Sequence, residues 1–332
     1  MSEKVTIAQI GVGYWGPNLL RNLVSNKNCT VKTVLDLSQE RLDFVTETYS
    51  GIKITKELND ILADDEIDAV VVSTPVNTHF ELVMKSLESN KHVLVEKPMA
   101  QSTTEVNQIA NLADKKNLVA MVGHTFIYNS AVRLVKKILD EGTLGDLQYI
   151  YCQRLNLGRI RNDVDALWNL APHDISIIQY WLDDLSPYSI VRNGMSFLQE
   201  GIDDVVFMNI KYPNKVMANI HVSWLDPNKI RKIVLIGSKK MLVYDDLAED
   251  KVIIHDKGID FEHTFEEKIP SDILQSDKIY RSGKSIVPQY NWEEPLKVEI
   301  DHFLDCIING ESCITGPEHA ANTVKILSQN EN

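Results

Sequence analysis

Along its first 120 residues the chain alternates short, wholly apolar runs with longer segments whose apolar positions recur every three or four residues. VTIAQI (5–10), TVKTVL (30–35), IKIT (52–55), DAVVVST (68–74), HVLVEK (92–97) and LVAMVG (118–123) read as strands. Between them lie helical patterns, the first marked by Leu19, Leu20 and Leu23, the others expected near 39–49, 57–62, 78–89 and 103–116. Strands that are apolar throughout suit a parallel sheet covered on both faces. The alternation predicts a doubly wound α/β domain of the Rossmann type over residues 1–123.

Past Gly123 the pattern changes. HTFIYNSAVRLVKKILDEG begins a new helix, and period-two alternation then dominates in LQYIYCQRLNL, YSIVRNGMSF, DDVVFMNIKY, KVMANIHVSWL, KIRKIVLIG, KMLVYDD and KVIIHD. One helical stretch, PHDISIIQYWLDD, interrupts them, and residues 292–308 and 318–327 read as closing helices. This half, 124–332, is expected to be an α+β domain with a mostly antiparallel open sheet. One sheet face would pack on helices and the other face a substrate or a second subunit, while the C-terminal helices are free to pack back on the first domain.

Composition narrows the class. The 332 residues allow two ordinary cores, and no apolar run approaches the roughly 20 residues of a membrane span. MSEKVTIAQIG lacks the basic and apolar regions of a signal peptide, so a cytoplasmic setting is expected. A net charge of -13 argues against nucleic acid or an anionic membrane as partner, though a local cationic cluster can still hold a small anion. Cys29, Cys152, Cys306 and Cys313 form no C-x-x-C pair, and the nine histidines show no ligand spacing. Reduced thiols and no metal are expected.

Candidate chemistry begins in IAQIGVGYWGPNLL. Gly11, Gly13 and Gly16 sit where a strand gives way to a helix: the first permits a tight bend, the second lets a pyrophosphate approach bare backbone, and the third lets helix and strand pack closely. The helix N-terminus then offers free N–H groups to phosphate, and Pro17 suits its first turn. Tyr14 and Trp15 lie within the same turn. The next strand ends in Asp36, at the distance expected of a carboxylate that bonds an adenosine ribose. That carboxylate repels a 2′-phosphate, and Arg41 is expected to face solvent, so NAD is favoured over NADP. A plain glycine-rich turn with a surface Asp is the alternative.

Two further tripeptides occupy C-terminal strand ends, the edge where open α/β sheets bind ligands. Glu96-Lys97-Pro98 follows HVLV, and a lysine there can stabilise an alkoxide developing during hydride transfer. Ser73-Thr74-Pro75, with Asn77 and His79, follows the preceding strand. Each tripeptide alone also fits an ordinary proline-containing turn.

Taken together, GVGYWG, TPVNTH, VLVEKPMA, EGTLGDL, the tryptophan five residues before His173-Asp174, and SWLDP resemble the Gfo/Idh/MocA oxidoreductase family over nearly the whole chain. The resemblance implies an N-terminal NAD(P) domain, oxidation or reduction of a carbohydrate hydroxyl or ketone, and Lys97 as the catalytic lysine. It implies cofactor contacts from Gly11, Gly13, Tyr14, Trp15, Gly16, Asp36, Thr74, Pro75, Asn77, His79, Glu96 and Lys97. The family's D-x-x-x-H dyad corresponds to Asn169 and His173; imidazole suits acid–base work, whereas an amide at 169 can orient a group but carries no charge. Pro172 is expected to open a helix that turns Asp174 away.

GYWGPNLLRN, GHTFIYN, QRLNLGRIR and LWNLAPHD resemble the branch that oxidises nucleotide-linked amino sugars at C3, such as UDP-N-acetylglucosamine or its uronate. Candidate substrate residues are Lys97, Tyr128, Arg154, Asn156, Arg159, Arg161, Trp168 and His173. Arg suits bidentate contact with a diphosphate or carboxylate. Arg159 and Arg161 fit a solvated loop equally well, and Tyr128 and Trp168 fit packing. A free polyol or monosaccharide dehydrogenase and a non-catalytic NAD-sensing regulator remain alternatives. The family habit implies a homodimer or homotetramer, and a 3-keto product would suit an aminotransferase as pathway partner.

Overall fold

A computed structural model describes residues 4–158, 160–262 and 277–329. The chain forms two compact units. The first comprises Met1–Asn129, Ile175–Tyr180 and Glu293–Ser328; the second comprises Ser130–Asp174, Trp181–Trp292 and Gln329–Asn332.

The first unit holds a six-stranded parallel sheet built from β1 (Val5–Ile10), β2 (Cys29–Leu35), β3 (Lys53–Thr55), β4 (Ala69–Val72), β5 (His92–Glu96) and β6 (Ala120–Gly123). Their order is β3-β2-β1-β4-β5-β6. The order reverses beside β1, and such a switch point opens a crevice outside the C-terminal strand ends. The helices are α1 (Gly16–Ser25), α2 (Gln39–Thr48), α3 (Asn59–Leu62), α4 (His79–Glu88) and α5 (Thr103–Lys116). Ser102 and Glu105 close a reciprocal capping box at the start of α5. Leu19, Leu20 and Leu23 of α1 pack in one apolar cluster with Ile7, Val31, Val71 and Leu94. Leu296, Ile300, Phe303 and Leu304 of α8 (Pro295–Asn309) join that cluster, so the C-terminal stretch is part of the first unit's core.

The second unit holds an eight-stranded sheet in the order β14-β13-β12-β11-β7-β10-β9-β8. Its strands are β7 (Leu147–Leu155), β8 (Ser189–Met195), β9 (Val205–Lys211), β10 (Met217–Ser223), β11 (Ile230–Gly237), β12 (Met241–Asp245), β13 (Val252–Glu262) and β14 (Asp277–Ile286). Only β7 and β10 run parallel; every other pairing is antiparallel. The period-two pattern does what it predicts: Val206, Met208 and Ile210 are buried, while Phe207 alternates outward and stacks on His221 across the strand pair at 4.1 Å. On the buried side, Trp181 of α7 (Ala166–Trp181) donates to the Val132 carbonyl of α6 (Ser130–Asp140) and meets Tyr244 edge-on. Chain-end helix α9 (Pro317–Leu327) lies in the first unit.

Pro172 does not open α7. It stands inside the helix, which begins six residues earlier because the Asp165 carboxylate accepts the Trp168 N–H as an N-cap. The missing N–H of Pro172 costs one intrahelical bond, and the cap sets the boundary.

Candidate functional site

β1 ends at Ile10, and Gly11 follows with φ +94°, a conformation that favours glycine. Its carbonyl accepts from Gln9 Nε2 (2.9 Å) and Ser73 Oγ (2.7 Å), and its N–H donates to the Leu35 carbonyl (2.7 Å). A Cβ on Gly11 would stand 2.6 Å from the Ser73 carbonyl oxygen, and one on Gly16 would stand 2.7 Å from the Gly11 oxygen. Both positions are therefore closed by the protein itself. Gly13 differs, because a Cβ there would meet nothing within 4 Å. Its bare backbone faces the open cavity at the head of α1, where helix N–H groups and the macrodipole favour phosphate.

That cavity measures about 610 Å³ and runs along the C-terminal strand edge past Gly11, Gly13, Asp36, Thr74, Pro75 and Asn77. Asp36 is fixed by its own backbone surroundings: Val12 N–H donates to Oδ2 (2.7 Å) and Ser38 N–H to Oδ1 (2.9 Å). Each carboxylate oxygen keeps a second lone pair for a diol. The residues present thus fit a dinucleotide, with diphosphate at Gly13 and ribose at Asp36. Arg41 and Lys56 also line the cavity. Arg41 is solvent-exposed as expected but stands at the cavity rim. Lys56 directly follows β3 at the same ligand-binding edge, where no motif marks it in the sequence.

His79 does not face the cavity as a ligand. It is 1% exposed, and its ring nitrogens lie 2.8 Å from the Pro98 carbonyl and 2.9 Å from the Thr74 carbonyl. It fastens the Ser73-Thr74-Pro75 turn to the Glu96-Lys97-Pro98 turn. Burial pushes its pKa down from the ordinary value against the pull of those two carbonyls. Thr74 is braced further by a 2.7 Å hydroxyl contact with Thr78. The Lys97–Pro98 peptide is cis, and Lys97 is half-buried. Glu96 accepts the Lys97 N–H at 3.3 Å, and burial raises its pKa to about 7 despite the Lys97 charge, that N–H and a Trp15 hydrogen bond. Trp15 and Tyr14 are both exposed, at 39% and 93%.

Tyr128, a substrate candidate that fits packing equally well in the sequence, is core: it is 1% exposed, and its hydroxyl lies 2.9 Å from Thr315 Oγ1. Phe303 and Ile300 of α8 belong to the same apolar cluster, which explains why the aromatic ring turns inward. Behind it, the ligand atoms of His302, Cys306 and Cys313 come within 4.8 Å of one another. His302 Nε2 already accepts the Ile314 N–H at 3.0 Å, so that lone pair is engaged by backbone.

In the second unit, Arg154 is not available to a substrate phosphate. Its guanidinium is 6% exposed and bonds Asp174 through Nε (3.2 and 3.1 Å) and Nη2 (2.7 Å). Alternation along β7 points Arg154 to the buried side with Ile150 and Cys152, and a charge there must be paired. Asn156, one residue past the strand, is half-buried, and Trp168 is half-buried in the first turn of α7. Arg161 is exposed and pairs with Asp163 two residues on. Arg159 lies outside the described residues.

Asn169 and His173 stand one helical turn apart on α7, hence on one face. Two side chains hold that turn. Arg192 Nη2 bonds the capping Asp165 (2.7 Å) and Asp203 (2.5 Å), and the buried Trp224 indole donates to Asn169 Oδ1 (3.1 Å). The Trp224 bond fixes which end of the Asn169 amide is oxygen and leaves its NH₂ as a donor, with one oxygen lone pair spare. His173 is half-buried.

Two sequence families match. Residues 5–124 match an oxidoreductase family with an NAD-binding Rossmann fold, and residues 132–243 match the GFO/IDH/MocA C-terminal domain. The scyllo-inositol 2-dehydrogenase (NAD(+)) of Bacillus subtilis is 23% identical over 329 residues, 95% of this chain and 89% of that protein. Among solved structures, the UDP-N-acetylglucosamine 3-dehydrogenase of Acidithiobacillus ferrooxidans superposes with a TM-score of 0.78 at 19% identity, over 98% of this chain and 96% of that one. GenD2 from gentamicin A biosynthesis, in complex with NAD, gives 0.80 at 20% identity over 98% and 93%. These superpositions speak for the fold. The chain spans about 60% of the length of the first curated relatives it matches. Among the described residues no helix is long and apolar enough to cross a membrane.

Proposed function

Because this chain belongs to the Gfo/Idh/MocA oxidoreductase family and carries its NAD-binding Rossmann fold, we propose that it oxidises a ring hydroxyl of a nucleotide-linked amino sugar with NAD, at C3. The observation that carries the redox reading is the Gly13–Asp36 cavity along the strand edge that also ends in Lys97. NAD would be held by Gly13, the α1 N-terminus, Asp36 and the Thr74-Pro75 turn, and when bound it supplies the hydride acceptor. Lys97 donates to the hydroxyl oxygen and stabilises its developing charge. His173 takes the hydroxyl proton, and Asn169, its amide orientation fixed by Trp224, orients it or the sugar. Arg161, Asn156 and Trp168 remain the candidates for the nucleotide end.

A free polyol is the second reading. It is favoured by the burial of Arg154 against Asp174, which removes one of the cations that would bind a diphosphate, and by the length of the match to the inositol dehydrogenase. Reduced nicotinamide absorbance separates the two when the protein is offered NAD with UDP-N-acetylglucosamine, its uronate, inositols and glucose. Turnover of the nucleotide sugars alone supports the first reading, and turnover of inositol or glucose alone moves the assignment. Bound NAD without turnover on any of them favours a sensor. A second copy of this chain and an aminotransferase consuming the keto sugar are the partners we propose.

A further inference from the structure

We propose that Glu299 is a positioning residue of the Lys97 site: with Glu96 it forms a carboxyl pair that keeps one proton, leaving a single negative charge beside the Lys97 ammonium. The inference rests on the redox role proposed for Lys97.

The geometry is unusual for a helix acid. Glu299 lies on the apolar face of α8 between Leu296 and Phe303, 1% exposed, where the helical period would place a hydrophobic side chain. The position a Cβ would take on Gly123, at the end of β6, is 3.2 Å from Glu299 Oε1 and 3.4 Å from Glu96 Oε1. Both carboxyls thus crowd one bare backbone point, and any side chain at 123 would displace one of them. Among the described residues neither oxygen of Glu299 has a well-formed hydrogen bond, although Thr125 lends it some hydrogen bonding. A buried carboxylate with neither cation nor donors is strongly disfavoured, and two neighbouring carboxyls in such a place titrate as a pair.

The surroundings decide where the proton sits. Glu96 has the Lys97 charge, the Lys97 N–H and Trp15 to support its ionised form. Glu299 has burial and the Glu96 charge against its own, which push its pKa well up. The other titratable groups near it add no support for ionisation. Burial, with the Glu299 charge as a lesser cause, drives Tyr128 to its neutral form. Cys313 is also pushed up, first by its hydrogen bond with Cys306. His124 is driven well down by burial, by His319 5.4 Å away and by Lys97. The proton therefore rests on Glu299 and the charge on Glu96. A second proton entering the pair removes the counter-charge of Lys97, so acidification weakens the hold on the group that polarises substrate.

The test uses the full chain with NAD and the substrate that turns over, and compares the pH dependence of kcat/KM for wild type, Glu299→Gln and Glu299→Asp. Wild type should lose activity on the acid side near pH 7, the value to which Glu96 is raised. In Glu299→Gln the amide takes the place of the neutral acid and still donates to Glu96, so the acid limb should stay near its wild-type place. Glu299→Asp keeps the proton and should leave the limb near its wild-type place. A limb that moves about tenfold or more in proton concentration toward lower pH in Glu299→Gln shows that wild-type Glu299 is charged, and overturns the proposal. Infrared difference spectra of the folded protein test it without turnover: on the alkaline side of pH 7, where Glu96 is ionised, a protonated-carboxyl band should persist in wild type and be lost in Glu299→Gln, and its absence in wild type overturns the pair. Should Glu299→Gln fail to fold, Glu96→Gln serves, because removing that charge must shift the remaining carboxyl band to titrate at lower pH. Turnover that survives Lys97→Met would instead sink the redox reading and leave the infrared result standing.

Discussion

Arg154 of β7 and Asp174 of α7 are locked in a two-pronged ion pair with side chains only 7% and 3% exposed. Removing one partner leaves a buried uncompensated charge, which costs far more than the net worth of the pair. Asp174→Ala should destabilise the protein by about 3–5 kcal/mol, whereas the double change Arg154→Met with Asp174→Leu should cost little. Denaturant unfolding of the three proteins measures this. A small loss in Asp174→Ala would return Arg154 to the list of candidate anion ligands.

The three glycines of the first turn should separate by phenotype. Gly13→Ala meets no protein atom, so its melting temperature should stay close to wild type while NAD affinity falls by about tenfold or more through exclusion of the phosphate from the backbone. Gly11→Ala carries both the φ of +94° and the 2.6 Å clash with Ser73, so it should lose stability by at least about 1–3 kcal/mol. Thermal melts beside NAD titrations distinguish the two. Equal stability losses at both positions would contradict the open cradle at Gly13.

These glycines show what a sequence reveals. Strand, turn and helix at 5–25 follow from period and from a steric demand that glycine alone meets, both local in the chain. The second sheet was legible for the same reason, through alternation. The sequence leaves Arg154 and Tyr128 among the substrate candidates because their polar groups find partners far along the chain, Asp174 and Thr315, and no local pattern records such a pairing. Pro172 suggested a helix start, but the capping Asp165 lies seven residues before it. Glu299 did leave a trace: a carboxylate at a core position of an otherwise regular apolar face.

Cofactor choice should turn on Asp36. Its oxygens are already oriented by Val12 and Ser38, so a ribose meets a fixed acceptor, and loss of a charged hydrogen-bond partner costs about 1.5–3 kcal/mol. Asp36→Ala should weaken NAD binding about 10- to 100-fold. Arg41 and Lys56 line the same cavity, so the variant should gain relative affinity for NADP as the repelling carboxylate goes. Titration with both dinucleotides checks the ratio. An unchanged preference would remove Asp36 from the ribose site.

The buried carboxyls also predict how stability depends on pH. Glu96 rises from 4.5 to about 7, and Glu299 rises well above 4.5. Between the unfolded and folded values the native state binds more protons than the unfolded chain, so stability is fully present below about pH 4.5 and is lost as pH climbs through about 7. His79 acts in the opposite sense: with its pKa pushed below the ordinary 6.5, its contribution is present above that value and is lost as pH falls through the depressed one. Glu299→Gln removes one carboxyl from the first trend. Its unfolding free energy should fall less steeply than wild type between pH 5 and 8. Urea titrations across that range measure both slopes. Parallel curves for the two proteins would mean that Glu299 ionises as readily in the folded chain as in the unfolded one.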